Sequence, residues 1–289
     1  MEILGQKIAN LIQDSFKKEI IRLKKKKKIL RLTVFLLEDS PQQLSFVKTK
    51  AKAAKKLGID FDFIHYKTIP SFEKFLNEIR NKVADKQTTG IVIQQPLPAQ
   101  LSTDSIYEYI PAVKEIEGHR KKSVFMPPLG FAVLTVLKYI LKGEKSNKNL
   151  IIDLEKDKHF FKLALRNKKV VLAGRGVTAG VPIGKTLTEV KINYISIDSK
   201  TPEPESYLKE ADIIITAVGS KIIDPTNLKP GVILINAGLR REKGKLKGDY
   251  DEHEIKKIAS YYTPTVGGLG PIDVAYLFKN LVDAAKLQR

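Results

Sequence analysis

Hydrophobic and polar positions along the chain switch repeatedly between a helical period and short apolar runs, and the switches lay out a series of strands and helices. Residues 2–23 carry apolar side chains at helical spacing, and LRLTVFLL (30–37) then reads as a buried strand. The turn and N-cap signal Asp39-Ser40-Pro41 opens a helix over 42–57 that stops at Gly58. Residues 61–66 predict a second strand, 69–84 a helix, and TGIVIQ (89–94) a third strand. That strand runs straight into Gln95-Pro96-Leu97-Pro98. Two prolines there end sheet pairing and fix the backbone at the strand's C-terminal end, where open α/β sheets place ligands. Helices over about 102–109 and 129–142 follow.

The second half has a stronger signature. Val170–Ala173 is a short apolar run followed at once by Gly174-Arg175-Gly176, then Gly180, with Pro182 opening a helical pattern. This predicts a buried parallel strand, a glycine turn and a helix N-terminus. Glycines let the backbone come close to a phosphate, and the free N–H groups and dipole of the helix start favour an anion. NYISI (193–197), DIIIT (212–216) and VILIN (232–236) are further strands, separated by segments long enough for crossover helices. Repeated β–α alternation predicts a parallel, doubly wound sheet. A second glycine-rich loop (262–271) leads into a helix over 272–287. The polar stretch 143–168 contains an apolar patch (150–154) and a second helical pattern, and reads as an elaborated linker. The fold class is therefore α/β with two lobes: an N-terminal α/β lobe over 1–142, completed by the C-terminal helix 270–289, and a Rossmann-like doubly wound nucleotide-binding lobe over 169–269.

Composition narrows this further. In 289 residues, 43% hydrophobic content suffices for two cores. With no cysteine, disulfides, thiolate metal sites and cysteine nucleophiles are excluded. The amphipathic N-terminus is neither a signal peptide nor a membrane span, so the expectation is a cytoplasmic protein without a membrane partner. The net charge of +19 and the run Lys24–Lys28 raise nucleic acid as a partner. The lysines are spread over the whole chain, however, and the run has no interleaved aromatics, so the reading is a solvated surface that steers a polyanionic small substrate. His65, His119, His159 and His253 share no ligand spacing, so no metal is expected.

Lys50 lies on the helix 42–57 with Phe46 one turn before it; Gln94 ends a buried strand; Glu117 sits beside a glycine in a loop. Singly, each is ordinary: a lysine on a helix is usually solvated, and a strand-end glutamine usually caps a loop. Together, SFVKTKAKAAKKLGI (45–59), GIVIQQPLP (90–98), IPAVKEIEG (110–118), AGRGVTAGVP (173–182), DIIITAVG (212–219), GVILINAG (231–238), GD (248–249) and TPTVGGLGP (263–271) resemble the methylenetetrahydrofolate dehydrogenase/cyclohydrolase family from about residue 30 onward. The glutamine-proline strand end and the TP-x-x-GG-x-GP loop, about 170 residues apart, are more specific than the dinucleotide turn.

The resemblance implies a homodimer, formed through the nucleotide lobe, that acts in one-carbon metabolism and purine biosynthesis. It would oxidise 5,10-methylenetetrahydrofolate, or its polyglutamylated forms, to the methenyl cation and hydrolyse that to 10-formyltetrahydrofolate. The first lobe is then the folate-binding one. By position, Lys50 matches the family's catalytic lysine, Gln94 the glutamine bonded to it, and Glu117 the aspartate that holds the pterin. Phe46, Pro96, Leu97, Gly268 and Pro271 fall at substrate-binding positions; Gly174, Arg175, Gly176, Gly180, Asp198, Ser199, Gly219 and Leu239 fall at cofactor positions. A lysine in a cleft beside a cationic substrate can shuttle a proton, and a carboxylate can take the adjacent N–H donors of a pterin.

Departures from the family cluster on the folate side. Phe46 replaces a tyrosine, Glu117 lengthens the aspartate, Val266 replaces a proline and Ile272-Asp273 a Met-Thr pair; the chain is short between Glu117 and Pro128 and long over 143–168. Loss of the hydroxyl bears on hydrolysis more than on hydride transfer, which depends chiefly on stacking two rings. The alternatives are a dehydrogenase of this fold without the hydrolytic half, and an inactive basic binding protein. The cofactor is NADP or NAD. Arg175 can pair with a 2′-phosphate, but Gly176 replaces a serine ligand, and Asp198, 24 positions after Gly174, stands where dinucleotide folds hold a free ribose hydroxyl. The expectation is that NAD is used at least as well as NADP.

Overall fold

The computed structural model describes every residue except Asp39, Asp104, Ser146 and Arg289. The chain divides into two compact units, one of residues 1–11 and 129–273 and the other of 12–128 and 274–289. The division falls inside the first helix, α1 (Gly5–Lys25), and inside the last.

The second of these units is built on three parallel strands, β1 (Arg31–Leu36), β2 (Asp60–His65) and β3 (Gly90–Ile93), in the order β2-β1-β3. Val34 lies opposite Phe63 on one side and Val92 on the other. β1 and β3 are buried along almost their whole length, as their unbroken apolar runs require. β2, at one edge of the sheet, is less buried, and Asp60 and Asp62 punctuate it. The crossovers are α2 (Pro41–Leu57) and α3 (Phe72–Ala84). The Ser40 side chain accepts from the Gln43 N–H to cap α2, Pro41 takes the first turn, and Gly58, at φ 66°, closes it. Asp39 of the expected cap signal lies outside the described residues. The helix expected over 102–109 is absent; single 3₁₀ turns at Ala99–Leu101 and Ile106–Tyr109 replace it. Pro111 holds the residue before it, Ile110, extended, which ends the second turn.

The other unit begins with α4 (Pro128–Leu141) and α5 (Leu154–Ala164). It continues through β4 (Val170–Ala173), α6 (Gly180–Glu189), β5 (Ile195–Ile197), α7 (Pro204–Glu210), β6 (Ile213–Thr216) and β7 (Ile233–Asn236). An antiparallel hairpin, β8 (Arg240–Glu242) and β9 (Lys245–Lys247), α8 (Glu252–Ile255), β10 (Tyr261–Tyr262) and α9 (Leu269–Leu287) complete the chain. The five parallel strands stand in the order β10-β7-β6-β4-β5, so β4 lies at the point where the chain, having gone outward to β5, returns to the other side as β6. The hairpin carries no apolar alternation; its one signal is Lys243-Gly244, both at positive φ, the requirement of a two-residue turn.

Two boundaries differ from expectation. The break falls after Pro128, not after 142. Gly130 of α4 packs so closely on Thr186 of α6 that a Cβ would overlap the threonine hydroxyl, which fastens α4 to the five-stranded unit. The stretch 143–168 is likewise integral to that unit, because Lys138 of α4 and Asp157 of α5 form a buried ion pair at 2.7 Å. Glu144 also takes a hydrogen bond from the Tyr261 hydroxyl at 2.7 Å. Each buried Leu, Ile or Phe in the two cores contributes about 1.5–3 kcal/mol. Among the described residues no helix is long and apolar enough to cross a membrane.

Candidate active site

At the C-terminal end of β3, charged and amide side chains meet where the sheet is otherwise apolar. α2 buries Gln43, Val47, Lys50, Ala54 and Leu57 along one stripe at helical spacing, which turns Lys50 inward to 6% exposure. Its Nζ donates to Oε1 of Gln94 at 2.8 Å and to Oε1 of Glu117 at 3.3 Å. The Gln94 amide nitrogen donates to the Gln95 carbonyl at 3.0 Å, which fixes which end of the amide faces the lysine. Phe46, half-buried one turn before Lys50, has no polar atom to add. An ammonium has three donors, and two are spoken for.

Glu117 is carried by a loop with its own anchors. Glu115, 1% exposed, accepts from the backbone N–H of Glu117, Gly118, His119 and Arg120 at 2.8 to 3.4 Å. Burial pushes its carboxyl above the ordinary range, against the pull of His119 and these N–H groups. Gly118, at φ 80°, lies where a Cβ would meet the Phe125 carbonyl at 2.9 Å. Asn280 of α9 donates to the carbonyls of Ile116 (2.9 Å) and Met126 (3.1 Å), closing the loop's base. Gln43 donates to the carbonyl of Pro96 at 2.8 Å, while its own Oε1 is buried without a partner among the described residues. The Gln95–Pro96 peptide is cis; Pro96 is exposed and Leu97 packs on the core of this unit.

The glycine turn after β4 belongs to the other unit. Gly174, at φ 108°, is so close to the Ala217 carbonyl beyond β6 that a Cβ would overlap it, and a Cβ on Gly180 would overlap the Gly174 carbonyl. Gly176 faces open space. Ala179 caps α6 without a side-chain hydrogen bond, which leaves the N–H groups of the helix start without a side-chain cap. The residues fit a dinucleotide phosphate: a tight turn, an open glycine and an uncapped ten-residue helix at the sheet's switch point. The helix begins at Gly180, with Pro182 inside its first turn.

Arg175 and Asp198, which the sequence sets against each other, are partners. Arg175 Nη1 donates to Asp198 Oδ2 at 3.0 Å, and Nε and Nη2 reach the hydroxyl and carbonyl of Ser196 at 3.1 and 2.6 Å. The other Asp198 oxygen accepts from the Lys200 N–H and the Thr201 hydroxyl. The Lys200 N–H foremost, then Thr201 and Arg175, hold its carboxyl below the ordinary range. Ser199 is exposed. Gly219, at φ 82°, approaches the carbonyl of half-buried Leu239.

Several positioning residues carry no role in the sequence reading. Asp249, fully buried, accepts from the N–H groups of Val218 (2.8 Å) and Gly219 (2.9 Å), and a Cβ on Gly238 would run into it. Burial pushes its carboxyl above the ordinary range. Asn236 donates to the Gly238 carbonyl and the Thr265 hydroxyl, both at 2.8 Å, tying the end of β7 to the last loop. In that loop the Thr265–Val266 peptide is cis, a Cβ on Gly268 would meet the Pro264 carbonyl at 2.6 Å, and Pro271 lies half-buried in the first turn of α9. Polar residues ending apolar strands, Asn236 like Gln94, are the signal that could have found them. Gly268 and Pro271 belong to the glycine-turn unit, whereas Lys50, Gln94, Glu117, Phe46, Pro96 and Leu97 belong to the other. Among the described residues no group of His, Asp or Glu could hold a metal ion.

Comparison with known proteins covers nearly the whole chain. Residues 3–117 match the family described as tetrahydrofolate dehydrogenase/cyclohydrolase, catalytic domain, and residues 151–289 match its NAD(P)-binding domain. The similarity thus starts well before residue 30, where it was expected to start. Bifunctional protein FolD of Staphylococcus aureus is 30% identical over 296 residues, spanning 99% of this chain and 96% of that protein; that of Staphylococcus carnosus is 29% identical over the same span. The crystal structure of bifunctional enzyme FolD, a methylenetetrahydrofolate dehydrogenase/cyclohydrolase from Campylobacter jejuni, matches with a TM-score of 0.84 at 29% identity, covering 100% of this chain and 99% of that one.

Proposed function

The chain belongs to the tetrahydrofolate dehydrogenase/cyclohydrolase family, and we propose that Lys50, held by Gln94 and Glu117, is the group on which its chemistry turns. The enzyme oxidises 5,10-methylenetetrahydrofolate to the methenyl compound with a nicotinamide cofactor and hydrolyses that product to 10-formyltetrahydrofolate. The observation that carries the role of Lys50 is its burial, with Nζ bonded at 2.8 Å to an amide oxygen at the end of β3.

In the hydrolysis, water adds to the methenyl carbon. A proton must leave that water as the C–O bond forms, one must reach the departing nitrogen as the C–N bond breaks, and the hydroxyl of the adduct must give up its own proton as it becomes the formyl C=O, so that one proton in all passes to solvent. Lys50 is placed to carry the first two transfers, with Gln94 holding the amine's direction while its proton content changes. A side chain anchored by two partners loses little freedom at the moment of reaction, which is where oriented groups gain their rate. Glu117 uses Oε1 on the lysine, leaving Oε2 for the N–H donors of a pterin.

A bound nicotinamide supplies the hydride acceptor for the oxidation. Gly174, Gly176 and Gly180 would hold the pyrophosphate at the start of α6, and Gly219 and Leu239 would border it. We infer that NAD serves at least as well as NADP. A 2′-phosphate would have to take Arg175 from Asp198, whose carboxylate already neutralises it at 3.0 Å. We also propose a cytoplasmic homodimer formed through the five-stranded unit, whose edge strand β5 leaves Ile195 43% exposed.

The test is a spectrophotometric assay with both nicotinamide cofactors, followed at the reduced-cofactor and methenyl absorbances. Lys50→Met is expected to lower the hydrolysis rate at least about 100-fold, the scale of a lost proton carrier, with an unchanged unfolding temperature. Hydrolysis by this variant at the wild-type rate would sink the assignment.

A further inference from the structure

Glu117 presents one oxygen to the ammonium of Lys50 and the other to the imidazole of His119. Oε1 receives Lys50 at 3.3 Å, and Oε2 lies 3.8 Å from Nε2 of His119, ion-pair range though beyond a direct hydrogen bond. Both Glu117 and His119 side chains are 17% exposed, so the pair is sheltered from the screening that makes surface pairs worth little. The imidazole is itself fixed. It stacks on Tyr107 with centroids 4.6 Å apart and planes inclined by 27°, and its backbone N–H is held by Glu115 at 3.0 Å. The Tyr107 hydroxyl is bonded in turn by the Gln95 amide. Gln94 and Gln95, neighbours in the chain, therefore hold the two ends of one circuit: Gln94 to Lys50, Lys50 to Glu117, Glu117 to His119, His119 onto Tyr107, and Tyr107 back to Gln95.

We propose that His119 is a positioning residue for the reaction at Lys50, acting through the Glu117 carboxylate. The proposal rests on the reading of Lys50 given above. A glutamate side chain has three rotatable bonds, and a carboxylate with one partner can swing away from it. The imidazole beside the second oxygen limits where the carboxylate can swing and favours the rotamer in which Oε1 stays on Lys50. This supplies the amine's second contact from the loop, where Phe46 supplies none from the helix. The other charged groups around His119 are Glu115, which grips its main chain, and Arg120, whose guanidinium is engaged by Glu108 and by the carbonyls of Tyr107, Glu108 and Ile110.

Two substitutions separate the donor from the ring. His119→Phe keeps the stack on Tyr107 and removes the donor; His119→Gln removes the ring and returns an N–H at the reach of Nε2. The expected result is that His119→Phe lowers kcat for hydrolysis about tenfold with KM changed less than about twofold, as loss of one charge-assisted contact would, and that His119→Gln stays within about threefold of wild type. If the Phe variant does not fold, His119→Asn replaces it, being too short to reach Oε2. The reverse order, an active Phe variant and an impaired Gln variant, would show that only the stack matters and overturn the proposal, as would two variants of equal activity. A wild-type protein with neither oxidation nor hydrolysis would remove the reading of Lys50 and this inference together, whereas an active wild type with an unaffected Phe variant removes the inference alone.

Discussion

The C-terminal ends of β3 and β4 are both candidate sites, and they are built on opposite terms. At β3 the site is made of side chains: Lys50, Gln94, Glu117 and Glu115 are charged or amide groups in a place that would otherwise be apolar, and each is there because another partners it. At β4 the site is made of their absence: Gly174 and Gly180 sit where one added carbon would overlap a carbonyl, and the polar side chains nearby are engaged within the unit, Asp249 by the N–H groups of Val218 and Gly219 and Asn236 by the Gly238 carbonyl and the Thr265 hydroxyl. A buried charge left without its partner costs several kcal/mol, so the first site should fail as a set when one member goes. The second should fail by sterics, one atom at a time.

The sharpest way to break this contrast is Gly180→Ala. Its methyl would enter the Gly174 carbonyl, at a cost of about 1–3 kcal/mol, and displace the turn. The expected outcome is a loss of at least about 100-fold in kcat/KM for the oxidation, with hydrolysis, which needs no nicotinamide, within about threefold of wild type. Equal loss of both activities would show that the two sites do not fail separately.

Asp198→Asn probes the one place at the β4 end where charge decides. Removing the carboxylate frees Arg175 for a 2′-phosphate and takes away a repulsion, and the expected outcome is a shift of the NADP-to-NAD ratio of kcat/KM by about fivefold toward NADP, the modest size that a solvent-screened pair allows. A strong NADP preference in the wild type, unmoved by the substitution, would mean that Asp198 is not the reader.

Phe46→Tyr has the smallest expected effect. With Glu117 and Gln94 already on Lys50, a hydroxyl one turn earlier adds a third contact and should raise hydrolysis relative to oxidation only about twofold. A rise of tenfold or more would show that Glu117 holds the lysine poorly.

How much could be read beforehand follows the same contrast. The β4 turn was visible as a glycine pattern, because a demand for no side chain is written directly in residue identity. The partners at the β3 end were visible only through likeness to a family: Lys50 and Glu117 are 67 residues apart, and no local period marks them as neighbours. The pairing of Arg175 with Asp198 was missed because each was read as a ligand contact, when two opposite charges on adjacent strand ends satisfy each other first. The apolar spacing over 102–109 is helical, but the described residues there form 3₁₀ turns, the second ended by Ile110, which is extended before Pro111. The tie of α4 to the five-stranded unit hung on one glycine, Gly130, whose use depends on what lies across from it.

Glu115 has a consequence for how this chain can change over time. It grips the loop that carries Glu117 chiefly by main-chain N–H groups, from residues 117 to 120, with the Ser123 hydroxyl a longer contact at 3.5 Å. Every residue type but proline offers that group, so mutation can exchange the side chains of the loop freely while the path of its backbone stays set from one buried carboxylate. A lineage carrying such an anchor can lengthen an aspartate to a glutamate, bring a histidine in beside it and lose residues further along without losing the position from which residue 117 reaches the lysine. Latitude in identity is bought with strictness at a single position, 115.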